Sequence, residues 1–154
     1  MKLKQALTGI IKNEYVICPL VGIALFYINS NLLGLIFRLF PETLALTFGW
    51  GPWWLAQPMY VKIVYVGIAA PFIEELIFRL GIYGFLLKRK LPGGLIISSL
   101  LFGLYHMVSG WGILKAVNMF FVGLVFGAVF KRYKFKGALI SHITNNALAV
   151  ANMV

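Results

Sequence analysis

Long apolar stretches recur along the chain, at about Tyr15–Phe37, Tyr60–Leu87, Gly94–Val108, Ile113–Phe130 and Gly137–Met153. A helix needs roughly 17 to 25 such residues to cross about 30 Å of hydrocarbon, and no alternating polar pattern competes with this reading. The expectation is an all-α, polytopic membrane helix bundle of about five transmembrane helices, in a single domain spanning 1–154. Pro71 lies inside the second stretch and should kink it, because proline removes a backbone donor. Asn29, Ser30 and Asn31 mark a point at which the first helix is open to a break. Between the first two stretches, Trp50, Trp53 and Trp54 are placed like anchors at a membrane surface.

Composition agrees: 61% of the residues are hydrophobic and only 12% charged, with mean hydropathy +0.90, which leaves no polar surface for a water-soluble fold. The net charge of +10 does not point to nucleic acid. Ten of the 14 Lys and Arg residues fall in three clusters at the ends of the apolar stretches: Lys2, Lys4 and Lys12, then Lys88 to Lys90, then Lys131, Arg132, Lys134 and Lys136. With the N-terminus inside, all three clusters are cytoplasmic, and the opposite loops keep only Arg38, Lys62 and Lys115 near their edges. The first apolar stretch continues through Phe37 without a small-x-small cleavage site and reads as a retained span. Cys18, the single cysteine, cannot form an intrachain disulfide and is expected to be a small core residue. Gly123 and Gly127 form a GxxxG pair suited to close helix contact.

Against this background the stretch EELIFR stands out. The chain has four acids, Glu14, Glu42, Glu74 and Glu75, and no aspartate; half of its carboxylates are adjacent within an apolar helix. A carboxylate or arginine at mid-membrane costs about 2.5 to 3.5 kcal/mol, so these groups require a partner or a polar cavity. Glu75 and Arg79, four residues apart, share a helix face and can pair. Glu74 lies about 100° round the helix and is expected to be the free carboxylate. Both histidines also lie in apolar helices: His106 ends FGLYH, on the face of Phe102, and His142 begins HITNN, on the face of Asn146. A buried carboxylate can take a proton from water, a histidine can orient that water, and a second histidine with an amide can donate to an oxyanion. Tyr105 is expected to point away from His106, and Ser98 and Ser99 to bond to their own helix. Counted from the cytoplasmic helix ends, the site is expected between the midplane and the cytoplasmic surface, in a cavity that admits water.

EELIFR fits EExxxR, FGLYH fits FxxxH and HITNN fits HxxxN, in that order. The chain thereby resembles the CPBP family of CAAX proteases and bacteriocin-processing enzymes, also called Abi proteins, with a motif core at about 60–153. The resemblance implies a glutamate-type intramembrane endopeptidase, integral and multi-pass in a prokaryotic cell membrane. It acts on a peptide or protein substrate in or at the bilayer, such as a C-terminally or leader-tagged one. Glu74 and His106 then activate the attacking water, His142 and Asn146 stabilise the oxyanion, and Glu75 and Arg79 support the site. No cofactor is expected.

Three alternatives remain open at this stage. Glu74, His106 and His142 are a conceivable zinc ligand set, although the i, i+4 spacing of zincins is absent. Buried Glu and His chains also serve proton-coupled transporters, against which stands the lack of two related halves. A non-catalytic scaffold or immunity protein is the third, at odds with the small yield of membrane hydrogen bonds, about 0.6 kcal/mol each.

Overall fold

A computed structural model describes residues 13–49 and 51–153, so the cluster at Lys2, Lys4 and Lys12 and the indole of Trp50 lie outside the described residues. Helices cover all five apolar stretches, and the described residues contain no strand. Helix α1 spans Glu14–Leu39. Asn13 caps it by accepting from the Tyr15 N–H at 3.0 Å, with Glu14 in the first turn and Arg38 in the last, each opposing the local end of the helix dipole. The Asn29–Ser30–Asn31 stretch does not break it. Asn31 donates to its own helix at the Tyr27 carbonyl, 2.7 Å, sharing an acceptor of the ladder without breaking it, and Asn29 accepts from Asn118 at 2.9 Å.

A continuous helical run, α2, covers residues 59–88, but its register changes twice, with π-helical turns at Tyr65–Ala69 and Glu75–Tyr83. The first is the local answer to Pro71. The Ala70 N–H reaches back five residues to the Tyr65 carbonyl, and proline offers no N–H in its turn, so the Val66 carbonyl is left without a partner from its own helix. The second π turn carries Glu75 and Arg79, the kind of local widening that recurs at functional sites. After a basic turn, α3 runs Gly94–Val108. Helix α4, Ile113–Ala151, is broken at Lys134 (φ 60°, ψ −165°) into arms 113–133 and 135–151. The positive-φ residues Lys90 and Lys134 both sit in basic turns, where a charged side chain stays in water.

The direction of these helices gives the bundle two distinct ends. At one lie the basic turns and the start of α1, joined by the Lys136–Glu14 ion pair at 3.3 Å and a Lys136–Tyr15 hydrogen bond. At the other, the Gly51 N–H donates to the Gly110 carbonyl at 2.9 Å and the Gly112 N–H to Thr47 at 2.8 Å. A Cβ on Gly110, whose φ is +105°, would meet the Gly51 carbonyl oxygen at 2.8 Å, so only glycine fits there. The tryptophan expectation divides at this end: Trp53 is exposed, whereas Trp54 is buried against Trp111, with ring centroids 5.8 Å apart.

Contacts between helices rest on small residues, as membrane packing favours. A Cβ on Gly103 would meet the Ala116 carbonyl oxygen at 2.6 Å, and one on Gly123 would meet Ser99 at 3.0 Å and Phe102 at 3.2 Å; the GxxxG pair is a close contact with α3. Cys18 is fully buried and its carbonyl accepts from Ser141 at 2.8 Å, which ties α1 to α4. The outer surface is apolar, exposing Ile28, Leu32, Leu35, Ile68 and Phe72 among others. That inversion suits a hydrocarbon solvent, where backbone polar groups are satisfied inside helices. Two helices, Glu14–Leu39 and Ile113–Ala151, are long and apolar enough to cross a membrane by length and composition.

Candidate active site

Three helices place the motif residues together. Glu74, Glu75 and Arg79 come from α2, His106 from the last turns of α3, and His142 and Asn146 from the second arm of α4. All but Asn146 are buried, from Glu75 at 0% exposed to His106 at 9%, and Asn146 is half-buried. Burial of this many ionisable groups is sustainable only if they face one another or a polar cavity.

His142 is the hub. Its Nδ1 lies 2.9 Å from Glu75 Oε1 and its Nε2 3.5 Å from Glu74 Oε2. A carboxylate oxygen only accepts, so Nδ1 carries a proton and Nε2 is the nitrogen turned toward Glu74. The imidazole is held flat against Phe126, at 4.4 Å and 24° between planes. The expected Glu75–Arg79 pair forms, with Nε 3.5 Å from Oε2. Arg79 also donates to the Gly123 carbonyl at 3.4 Å, and its guanidinium lies 4.2 Å over the Phe102 ring, a cation–π contact strengthened by burial. Glu75 therefore serves two partners and fixes His142 from behind. Glu74 is not isolated from its neighbour's environment, as helical spacing implied, because one imidazole reaches both carboxylates.

His106 is oriented differently. Its Nδ1 lies 2.9 Å from the Phe102 carbonyl one turn back; that oxygen too only accepts, so Nδ1 holds a proton, and in the neutral imidazole Nε2 is the nitrogen with the lone pair. The Phe102 ring supports both imidazoles edge-on, at 4.8 Å from His106 and 6.0 Å from His142. Asn146 donates from Nδ2 to the Val66 carbonyl at 2.9 Å, the group that Pro71 leaves without a partner. One Nδ2 proton is thereby used and a second remains.

Glu74, His106, His142 and Asn146 all line a single cavity of about 600 Å³. Its wall also includes Gly51, Trp53, Trp54, Ser109, Trp111 and Met153, so it extends from mid-bundle to the end opposite the basic turns. This corrects the expected placement toward the basic end. His106 is two residues from the end of α3, about 3 Å of rise, and Glu74 lies midway along α2. Among the described residues, no three His, Cys, Asp or Glu side chains are grouped closely enough to hold a metal ion.

Several wall residues escaped the sequence reading. Tyr105 lines the cavity while packing on Phe78 at 5.5 Å. Lys115 and Asn118 line it too; the signal for Lys115 was present, as the one cation between the two basic turns. Ser99 bonds to its own helix at Leu95, 2.8 Å, as expected, but Ser98 instead donates to the Phe78 carbonyl on α2 at 2.6 Å.

Set against known families, residues 53–148 match the model described as Type II CAAX prenyl endopeptidase Rce1-like. The match takes in every motif residue and well over half of the chain. No curated protein and no solved structure gives a match.

Proposed function

Since this chain belongs to the Rce1-like family of type II CAAX prenyl endopeptidases, membrane-embedded peptide hydrolases, we propose that it cleaves a membrane-associated peptide with a water molecule activated by Glu74. The observation that carries this reading is the set of two carboxylates around one imidazole, Glu74 and Glu75 at 3.5 and 2.9 Å from His142, at the wall of a cavity large enough for a peptide segment.

In the proposed mechanism, Glu74 takes a proton from water while the lone pair on His106 Nε2 orients it. Attack on the scissile carbonyl builds negative charge on its oxygen. Asn146 meets that charge with its second Nδ2 proton, and His142 with Nε2–H in the doubly protonated form, its Nδ1–H being committed to Glu75. Glu74 then passes its proton to the departing amine. Glu75 and Arg79 position His142, and the Pro71-generated bond from Asn146 to Val66 holds the amide at the correct depth. No metal ion has a part in this scheme.

The proposed topology is five spans in one domain of a prokaryotic cell membrane, with the N-terminus and basic turns cytoplasmic. The cavity then opens toward the non-cytoplasmic side. Mass spectrometry of membrane peptides from cells carrying the intact or the Glu74→Ala protein tests the reading, with loss of specific cleavage products expected in the variant. Activity that survives exhaustive chelation is expected as well; its loss, with restoration by zinc, would favour Glu74, His106 and His142 as metal ligands instead.

A further inference from the structure

The proposed chemistry leaves one hydroxyl of the cavity wall without a task. Tyr105, next to His106, is three residues from the end of α3 at Val108, where a tyrosine ordinarily turns its hydroxyl to the membrane surface. Here it is half-buried. Its ring packs on Phe78 at 5.5 Å and edge-on to His106 at 5.7 Å, against the central apolar cluster, and it lines the cavity together with Glu74 and His106.

Two neighbours bracket the phenol along α2. Phe78, one turn past Glu74, holds the ring from the basic side. Tyr65, which precedes Glu74 on α2, is within electrostatic reach of the phenol, and so is Glu74 itself. The phenol therefore lies beside the stretch of α2 that presents Glu74. Its oxygen makes no hydrogen bond to any described residue, and it is not enclosed but keeps accessible surface. Glu74 has a carboxylate oxygen to spare as well, since Oε2 is the one turned to His142. Polar groups that share a cavity, within each other's field but beyond hydrogen-bond distance, are placed to be linked through a water molecule.

The hydrogen-bond count of the attacking water supplies the role. It donates one O–H to Glu74 and the other to the lone pair of His106 Nε2, which leaves two lone pairs. One attacks the carbonyl carbon, and the other accepts from a donor. Of the donors that α3 and its C-terminal turn bring to the wall, Ser109 spends its proton on the His106 carbonyl at 3.0 Å, and the proton that is free is that of Tyr105. Lys115, across the cavity on α4, has its ammonium 5.1 Å from the centre of the Trp111 ring. We infer that the Tyr105 O–H donates to the attacking water, so that Glu74, His106 and Tyr105 hold it from three sides and its remaining lone pair is aimed at the scissile bond. The inference rests on the hydrolase reading above and adds a third contact to the nucleophile. Tyr105 keeps its proton throughout. The water gives one proton to Glu74, its oxygen bonds to the carbonyl carbon, and the carbonyl π pair moves to the oxygen met by Asn146 and His142. Holding the nucleophile in place lowers the barrier without contributing to peptide binding.

The test compares the parent, Tyr105→Phe, Glu74→Gln and the double variant as full chains in lipid nanodiscs, with an S-prenylated CAAX peptide. Tyr105→Phe keeps the ring on Phe78 and removes only the hydroxyl. It is expected to lower kcat about tenfold, the scale of one hydrogen bond, with KM within about twofold and an unchanged melting temperature. In the Glu74→Gln background the same change is expected to cost less than about twofold, because the two groups act on one water molecule; a packing role would lower kcat by the same factor in both. A second readout needs no turnover. In infrared difference spectra of protein carrying ring-labelled tyrosine, Glu74→Gln is expected to shift a tyrosine C–O band that Tyr105→Phe removes, which separates it from the other tyrosines among the seven. A parent-like kcat in folded Tyr105→Phe protein, an equal loss in both backgrounds, or the absence of a shifted Tyr105 band would overturn the assignment. If the band shifts but the parent cleaves no peptide, the hydrolase reading fails and the water link between Tyr105 and Glu74 stands.

Discussion

The two halves of the bundle, divided near the level of His142, are built on opposite principles. Toward the basic end, Cys18, Tyr83, Val129, Phe130 and Ala138 pack into a dry cluster that leaves no place for a peptide. Toward the other end, the same helices separate around a cavity of about 600 Å³ lined by one acid, Glu74, with two imidazoles, amides and a lysine. Between them, Phe78, Phe102, Val122 and Phe126 form a floor whose rings touch Arg79, His106 and His142. The difference teaches where rigidity and chemistry reside. The closed half fixes the helices through close contact, and the open half spends that rigidity on holding ionisable groups at set distances in a place where each alone is costly.

If that division is right, substitutions in the open half remove activity first and those in the closed half remove stability first. The largest expected effect is from Glu74→Gln, which keeps the shape of the side chain and removes the base. Peptide cleavage should fall about a hundred- to ten-thousandfold, with thermal unfolding near that of the parent. Arg79→Leu tests the boundary between the halves. It strands Glu75 in a site where the acid is 0% exposed, and breaking a buried pair costs about 3 to 5 kcal/mol, readable in denaturant-dependent unfolding as well as in lost activity. Asn146→Ala should lower kcat about a hundred- to a thousandfold with a small change in KM, the pattern of a donor that acts on developing charge. In the closed half, Val129→Ala should cost about 1 kcal/mol through lost contacts and leave kcat within about twofold. Ser98→Ala, which deletes the bond to the Phe78 carbonyl, is the smallest, about 0.6 kcal/mol, the usual yield of a hydrogen bond between membrane helices.

The position of each helix was readable because apolar length alone dictates it in lipid: helices lie where the five stretches were drawn. Spacing was also enough for the Glu75–Arg79 pair and for the GxxxG contact, since both are one-helix geometries. What escaped depended on register between helices. Nothing in HITNN indicates that His142 reaches both glutamates, because that depends on how the second arm of α4 packs against α2. Pro71 was expected to kink the helix; its larger consequence, the Val66 carbonyl handed to Asn146, required knowing what faces it. Lys115 was taken as a charge at a loop edge, and only the convergence of α1, α3 and α4 turns it into a wall of the cavity. The depth of the site was misjudged for a similar reason: residues were counted from the basic turns, whereas α3 delivers His106 two residues from the opposite end.

The most direct test is cleavage of an S-prenylated CAAX peptide by the purified protein in nanodiscs, followed by mass spectrometry, for the parent and for Glu74→Gln side by side. Cleavage at a single bond by the parent, absent in a Glu74→Gln protein that melts at the same temperature, is the predicted result. Equal cleavage by the two proteins would contradict the assignment of Glu74 as the base that activates water.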